Sequence, residues 1–141
     1  MAECTRCEFR DRGGEPAVIN LERLTRLNRN FRTAIWTGEH MQMTLMSVPT
    51  GGEIGFEMHR DLDQLLKIES GFGTVSMGKC RNDPEIAERV SPGYAVFVPA
   101  GTWHNIVNTG RTPLKLYSVY APPQHPKGTV HRTKADSDRD E

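Results

Sequence analysis

The chain has 141 residues, a formal net charge of zero and a pI near 7.0. That length suits one compact domain with a real core. The balanced and scattered charge excludes a nucleic-acid or anionic-membrane surface built on basic clusters, and no apolar run reaches the ~20 residues that cross a bilayer. With 36% hydrophobic residues, 13 Gly and 9 Pro, the composition fits an all-β domain of short strands separated by turns.

Residues 1–30 read as an N-terminal arm. Met1 to Arg12 is polar and charged, unlike a signal peptide, and a cytoplasmic location is expected. Cys4 and Cys7 form a lone CxxC. With Cys80 they make an odd total, which argues for reduced thiols over a disulfide framework or a zinc site. Leu21, Leu24 and Leu27 are spaced for one or two helical turns packed outside a sheet. Strands are expected over Phe31–Trp36, His40–Val48, Glu53–His59, Gln64–Glu69, Gly73–Gly78, Ile86–Val90, Tyr94–Val98, Trp103–Asn108 and Leu114–Ala121, each closed by turn residues such as Pro49-Thr50-Gly51-Gly52 or Pro99-Ala100-Gly101. Residues 122–141 read as an extended, proline-bearing surface segment followed by a solvated, charged tail. His40 reads as a turn residue, and His125 and His131 as surface or interface residues.

Two segments carry chemistry. In the second, Gly93 is followed after five residues by Pro99, then by Gly101, His104 and Asn108. Tight turns at the glycines and a stiff corner at the proline deliver His104 to the start of a strand. In the first, Gly51 is followed after five residues by Glu57, then by His59, Gln64 and Gly71. Residues two apart on a strand share a face, so Glu57 and His59 project together.

Both segments resemble the two motifs of the cupin family, and the resemblance spans about residues 31–121. It implies a cupin jelly-roll β-barrel (a double-stranded β-helix) whose interior binds one divalent metal ion through Glu57, His59, Gln64 and His104. Glu57 stands where the family commonly has His, and Gln64 where it has Glu. The carboxylate has changed place but the total charge of the set has not. Two imidazoles and one carboxylate are also the composition of non-haem iron sites, with Gln64 as a weaker amide ligand. This set favours Mn or Fe, with Ni or Zn as further candidates. Asp61 or Asp63 is the alternative carboxylate if the strand is bulged.

Asp63-Gln64, Ile68-Glu69, Pro99 to Asn105, Tyr120 to Pro123 and Thr129-Val130-His131 resemble a group of single-domain bacterial cupins often labelled mannose-6-phosphate isomerase-like. The resemblance implies a metal-dependent isomerase or lyase acting on a small oxygenated metabolite such as a sugar or keto acid. The alternatives are a non-haem dioxygenase and a non-enzymatic metabolite- or metal-binding module. A homodimer is expected, with the strand at Phe31–Trp36 covering the sheet edge of a second copy.

Overall fold

In a computed structural model that describes residues 8–140, alternating apolar residues and frequent turn formers divide the described residues into nine strands and the helices Leu21–Leu27 and Lys134–Arg139. The Cys4–Cys7 pair lies outside the described residues. Helix α1 (Leu21–Leu27) begins at Asn20, whose side-chain oxygen accepts from the Arg23 amide, an N-cap. The strands are β1 (Arg32–Thr37), β2 (Gln42–Val48), β3 (Asp63–Ser70), β4 (Gly73–Gly78), β5 (Ile86–Val90), β6 (Ala95–Val98), β7 (Trp103–Asn108), β8 (Leu114–Ala121) and β9 (Val130–His131). Helix α2 (Lys134–Arg139) follows, with a capping box between Thr133 and Asp136.

The strands form two antiparallel sheets, ordered β6-β3-β8-β2-β1-β9 and β5-β4-β7. They face each other as a jelly roll, a double-stranded β-helix. Phe31, Met46, Ile54, Ile68, Val75, Ile106 and Leu116 are among the residues that fill the space between them. A smaller cluster of Leu24, Ile35 and Leu45 seats α1 on the outside of the large sheet.

The barrel interior has two ends of different character. Across β2, β8 and β3 the register aligns Met46 with Leu116 and Ile68, an apolar row. Four residues nearer the other end, Gln42, Tyr120 and Gln64 are aligned, and Thr44 and Ser118 lie between the two rows. All five of these polar residues are buried. A row of buried polar side chains costs stability unless the groups find partners, so this end marks the site.

Turn geometry holds the strands in register. Gly71 adopts φ +91°, and a Cβ there would lie 2.8 Å from the Pro113 carbonyl oxygen. Asn108 ties the neighbouring corner: its Nδ2 donates to the carbonyls of Val48 (3.0 Å) and Thr112 (2.9 Å), and its Oδ1 accepts from the Gly110 amide (2.9 Å).

Three expectations need correction. Glu53–His59 is not a strand. It follows β7 through two isolated bridges, Glu53 to Val107 and Glu57 to His104. Between the bridges this segment advances four residues while β7 advances three. The extra residue is accommodated at Gly55, with φ +102°, whose amide bonds to the Asn105 side chain (2.8 Å) instead of the β7 backbone. Secondly, the segment after Ala121 does not end as surface coil. Val130 and His131 pair with β1, and His131 is 3% exposed. Thirdly, because β9 occupies the outer edge of β1, that edge is not free for a second copy. No helix among the described residues is long and apolar enough to cross a membrane.

Candidate metal centre

The bridge between Glu57 and His104 carries both backbone hydrogen bonds, Glu57 N to His104 O (3.0 Å) and His104 N to Glu57 O (2.9 Å). The corner before β7 is tied to the same segment, since the Gly101 amide donates to the His59 carbonyl (2.7 Å). Backbone pairing therefore sets Glu57, His59 and His104 around one point. One ligating atom from each lies within 4.8 Å of the others. The two imidazole centroids are 5.6 Å apart.

Gln64 reaches the same interior from β3. Its backbone aligns with Tyr120 on β8, and the Tyr120 ring stands edge-on to His59 at 6.1 Å. Gln64 Nε2 donates to Ser118 Oγ (2.7 Å), which leaves the amide oxygen without a partner. His59 Nε2 and His104 Nε2 are likewise buried without a hydrogen bond. Two imidazole nitrogens beside a carboxylate, with the unpartnered Gln64 amide oxygen buried in the same barrel, suit a cation, which accepts every lone pair offered. The donor chemistry thus fits a divalent ion.

Protonation states agree with that fit. His104 Nδ1 faces the Thr102 carbonyl at 3.1 Å and must donate to it, which leaves the lone pair on Nε2. Burial pushes the His104 imidazole below its ordinary range, against the pull of the Thr102 carbonyl and the Glu57 charge. Burial works in the opposite sense on Glu57, favouring the neutral acid. The polar contact with His59, 3.4 Å from Oε2, and the charges of Arg32 and the imidazoles outweigh it and hold the carboxyl below its usual range.

Neither alternative carboxylate is placed to compete. Asp63 Oδ1 accepts from the Ala100 amide (3.0 Å) at an exposed position, and Asp61 is exposed. Cys80 is a free, exposed thiol.

Glu57 and His59 also line a cavity of about 710 Å³, in the range of small-molecule sites, with Phe56, Trp103, Gln124 and His125 among its other walls. Sequence reasoning missed this wall, because the 122–140 segment supplies much of it. Gln42, fully buried, grips the segment: its Oε1 accepts from the amides of Gln124 (3.1 Å) and His125 (2.9 Å), and its Nε2 donates to the His125 carbonyl (2.8 Å) and Thr37 Oγ1 (3.0 Å). The His125 ring packs edge-on against Tyr120 at 5.2 Å. Burial, and then the charge of Arg32, push its pKa down to about 3, so the ring is neutral at physiological pH. Arg32 was legible as the single charge inside the run Phe31 to Trp36, an unusual place for one.

A family model described as "Cupin domain" matches residues 44–120. The chain is 56% identical over 129 residues to YrkC of Bacillus subtilis, covering 92% of this chain and 69% of that one. It is 38% identical over 114 residues to L612 of Acanthamoeba polyphaga mimivirus, covering 80% and 69%. The crystal structure of BH2720 from Bacillus halodurans superposes with a TM-score of 0.91 at 54% identity, covering 92% of this chain and 98% of that one.

Proposed function

Because the chain belongs to the cupin family, we propose that its barrel holds one divalent metal ion and acts as a metal-dependent isomerase or lyase on a small oxygenated metabolite, a sugar or keto acid. The observation that carries the metal reading is the convergence of Glu57, His59 and His104, whose ligating atoms lie within 4.8 Å of one another, with His104 Nε2 and Gln64 Oε1 buried and without a hydrogen-bond partner. Two imidazoles, a carboxylate and an amide oxygen favour Mn²⁺ or Fe²⁺, with Ni²⁺ and Zn²⁺ next. The bound ion would supply Lewis acidity toward a substrate carbonyl.

The chain's own residues do the rest. Glu57 stays ionised and holds negative charge at the centre. His125, neutral and without a ring hydrogen bond among the described residues, presents a donor and an acceptor to a substrate oxygen. Phe56, Met58 and Trp103 form an apolar wall that displaces water from one side of the cavity.

A second reading follows from composition: Glu57, His59 and His104 are the two-histidine, one-carboxylate set of non-haem iron oxygenases. The homodimer belongs to the same proposal, with exposed Phe97 on the edge strand β6 and Tyr94 just before it as the apolar contact; sedimentation of the purified chain tests it.

The deciding experiment is metal analysis of protein purified without chelator. About one ion per chain is expected, with loss of it in Glu57→Ala and His104→Ala. Iron would direct the next assay to oxygen consumption, and manganese, nickel or zinc to isomerase and lyase substrates. A protein that stays metal-free after reconstitution with Mn²⁺, Fe²⁺, Ni²⁺ and Zn²⁺ sinks the proposal and leaves a metabolite-binding module as the reading.

A further inference from the structure

Arg32 is 1% exposed. Its register partner on β2, Met46, belongs to the core between the sheets, so Arg32 also enters the barrel side. A guanidinium does not shed its proton in a protein, and a buried one normally has a carboxylate against it. Among the described residues Arg32 forms no ion pair. Its Nη1 donates to His131 Nδ1 (3.0 Å) and Ser137 Oγ (2.7 Å), both uncharged acceptors, and its Nε has no partner.

His131 accepts at Nδ1, so it carries its proton on Nε2, which donates to Asp140 Oδ2 (2.7 Å). Asp140 sits at the surface with 68% of its side chain exposed, where water screens its charge. His131, Ser137 and Asp140 all line the same cavity as Glu57 and His59. Arg32, bonded to His131 and Ser137, therefore stands directly behind the cavity wall.

The charge balance of this end of the barrel then selects the ligand. Glu57 and Arg32 cancel. A divalent ion adds two positive charges in a region of low dielectric. A neutral sugar or polyol leaves that excess uncompensated, whereas an anion offsets it. Resting on the metal reading above, we infer that the cavity takes a small organic acid, a carboxylate with a hydroxyl or carbonyl oxygen beside it, and that Arg32 is the residue that selects the anion over its neutral counterpart. Arg32 acts through the His131–Ser137 wall as a positioning charge and forms no bond to the reacting atoms. The carboxylate and its neighbouring oxygen would face the ion that Glu57 and His59 hold, with Gln124, His125 and Thr129 around the remainder.

The test uses the full chain loaded with Mn²⁺, with metal content measured first. Calorimetric affinities are compared for pyruvate and hydroxyacetone, which differ by carboxylate against hydroxymethyl. Pyruvate is expected to bind at least about tenfold more tightly. Arg32→Gln should retain its metal and lose most of that preference, while Arg32→Lys keeps it. Should Arg32→Gln fail to fold, the same ratio is read on Arg32→Met, whose unbranched chain fills the site. Equal affinity for the two compounds, or a preference undiminished when the charge is removed, overturns the inference alone. A parent that takes up no metal overturns it together with the proposed function, and the metal analysis separates the two failures.

Discussion

Glu57 and His104 face each other across a single antiparallel bridge, joined by both of its backbone hydrogen bonds. The backbones of two candidate ligands are thus placed by main-chain pairing, whatever side chains they carry. Replacing either side chain should leave the bridge in place. Glu57→Ala is expected to stay folded, with a melting temperature within a few degrees of the parent in the absence of metal, while metal binding is lost. A Glu57→Ala protein that unfolds, or one that retains its ion, contradicts the assignment.

Gln64 separates a ligand from a structural amide. Its nitrogen is engaged by Ser118 and its oxygen is free. Gln64→Glu would put a second carboxylate in the site and should tighten Mn²⁺ binding. Gln64→Leu should weaken it by about 10-fold or more, the range seen when supporting groups of metal sites are removed. Competitive titration against a chelator of known affinity reads both. Identical affinities in the two variants would assign Gln64 to the Ser118 contact alone.

Gln42 is the clamp on the cavity wall. Gln42→Leu leaves the amides of Gln124 and His125 and the His125 carbonyl without their partner. At about 1–3 kcal/mol for a buried group left unsatisfied, with some recovery through water, a net loss of about 2–4 kcal/mol is expected in urea unfolding. Hydrogen exchange at residues 124 and 125 should rise far more than at β3, because the damage is local.

The pH dependence of stability isolates His125. Its folded pKa of about 3 lies well below the ordinary value of 6.5, first through burial and then through the Arg32 charge, with Glu57 opposing and His131 and His59 adding to the effect. The folded state therefore declines a proton that the unfolded chain accepts. Stability is full above about pH 6.5 and falls as the pH drops toward 3. Allowing for partial solvation, the loss at about pH 4.5 amounts to about 1–2 kcal/mol. His125→Asn should flatten that part of the acid limb when compared with the parent under identical conditions. Superimposable acid limbs would remove His125 as the cause.

Asn108 tests the corner that closes the second motif. Three hydrogen bonds to Val48, Thr112 and Gly110 disappear in Asn108→Ala, at a residue 3% exposed. A loss of about 2–4 kcal/mol is expected, with no direct effect on the ligand set. Unfolding of the metal-free protein by urea measures it free of any contribution from a bound ion.

Most of the fold was legible in the sequence because its signals are local. Turn residues bracket each strand, and the alternation within β2, β3 and β8 already sorts inner from outer side chains. The spacing of Glu57, His59 and Gln64, and of Pro99, Gly101 and His104, was equally readable, since neighbours along the chain suffice to place residues on one face. Glu53–His59 misled because an alternating pattern does not reveal a left-handed glycine, and the extra residue at Gly55 is what brings Glu57 level with His104.

What the sequence by itself determined, then, is the barrel and the identity of the atoms offered at its centre, both of which rest on short-range periodicity and turn chemistry. Only the tertiary structure decided what surrounds that centre. Arg32 and His131 are 99 residues apart, and β9 is two residues long, too short to show any period. Their meeting depends on which sheet edge remained open for the chain to fill. That long-range closure buries a positive charge behind the wall of the cavity that Glu57 and His59 line, and its energy comes from partners that no local window of sequence contains.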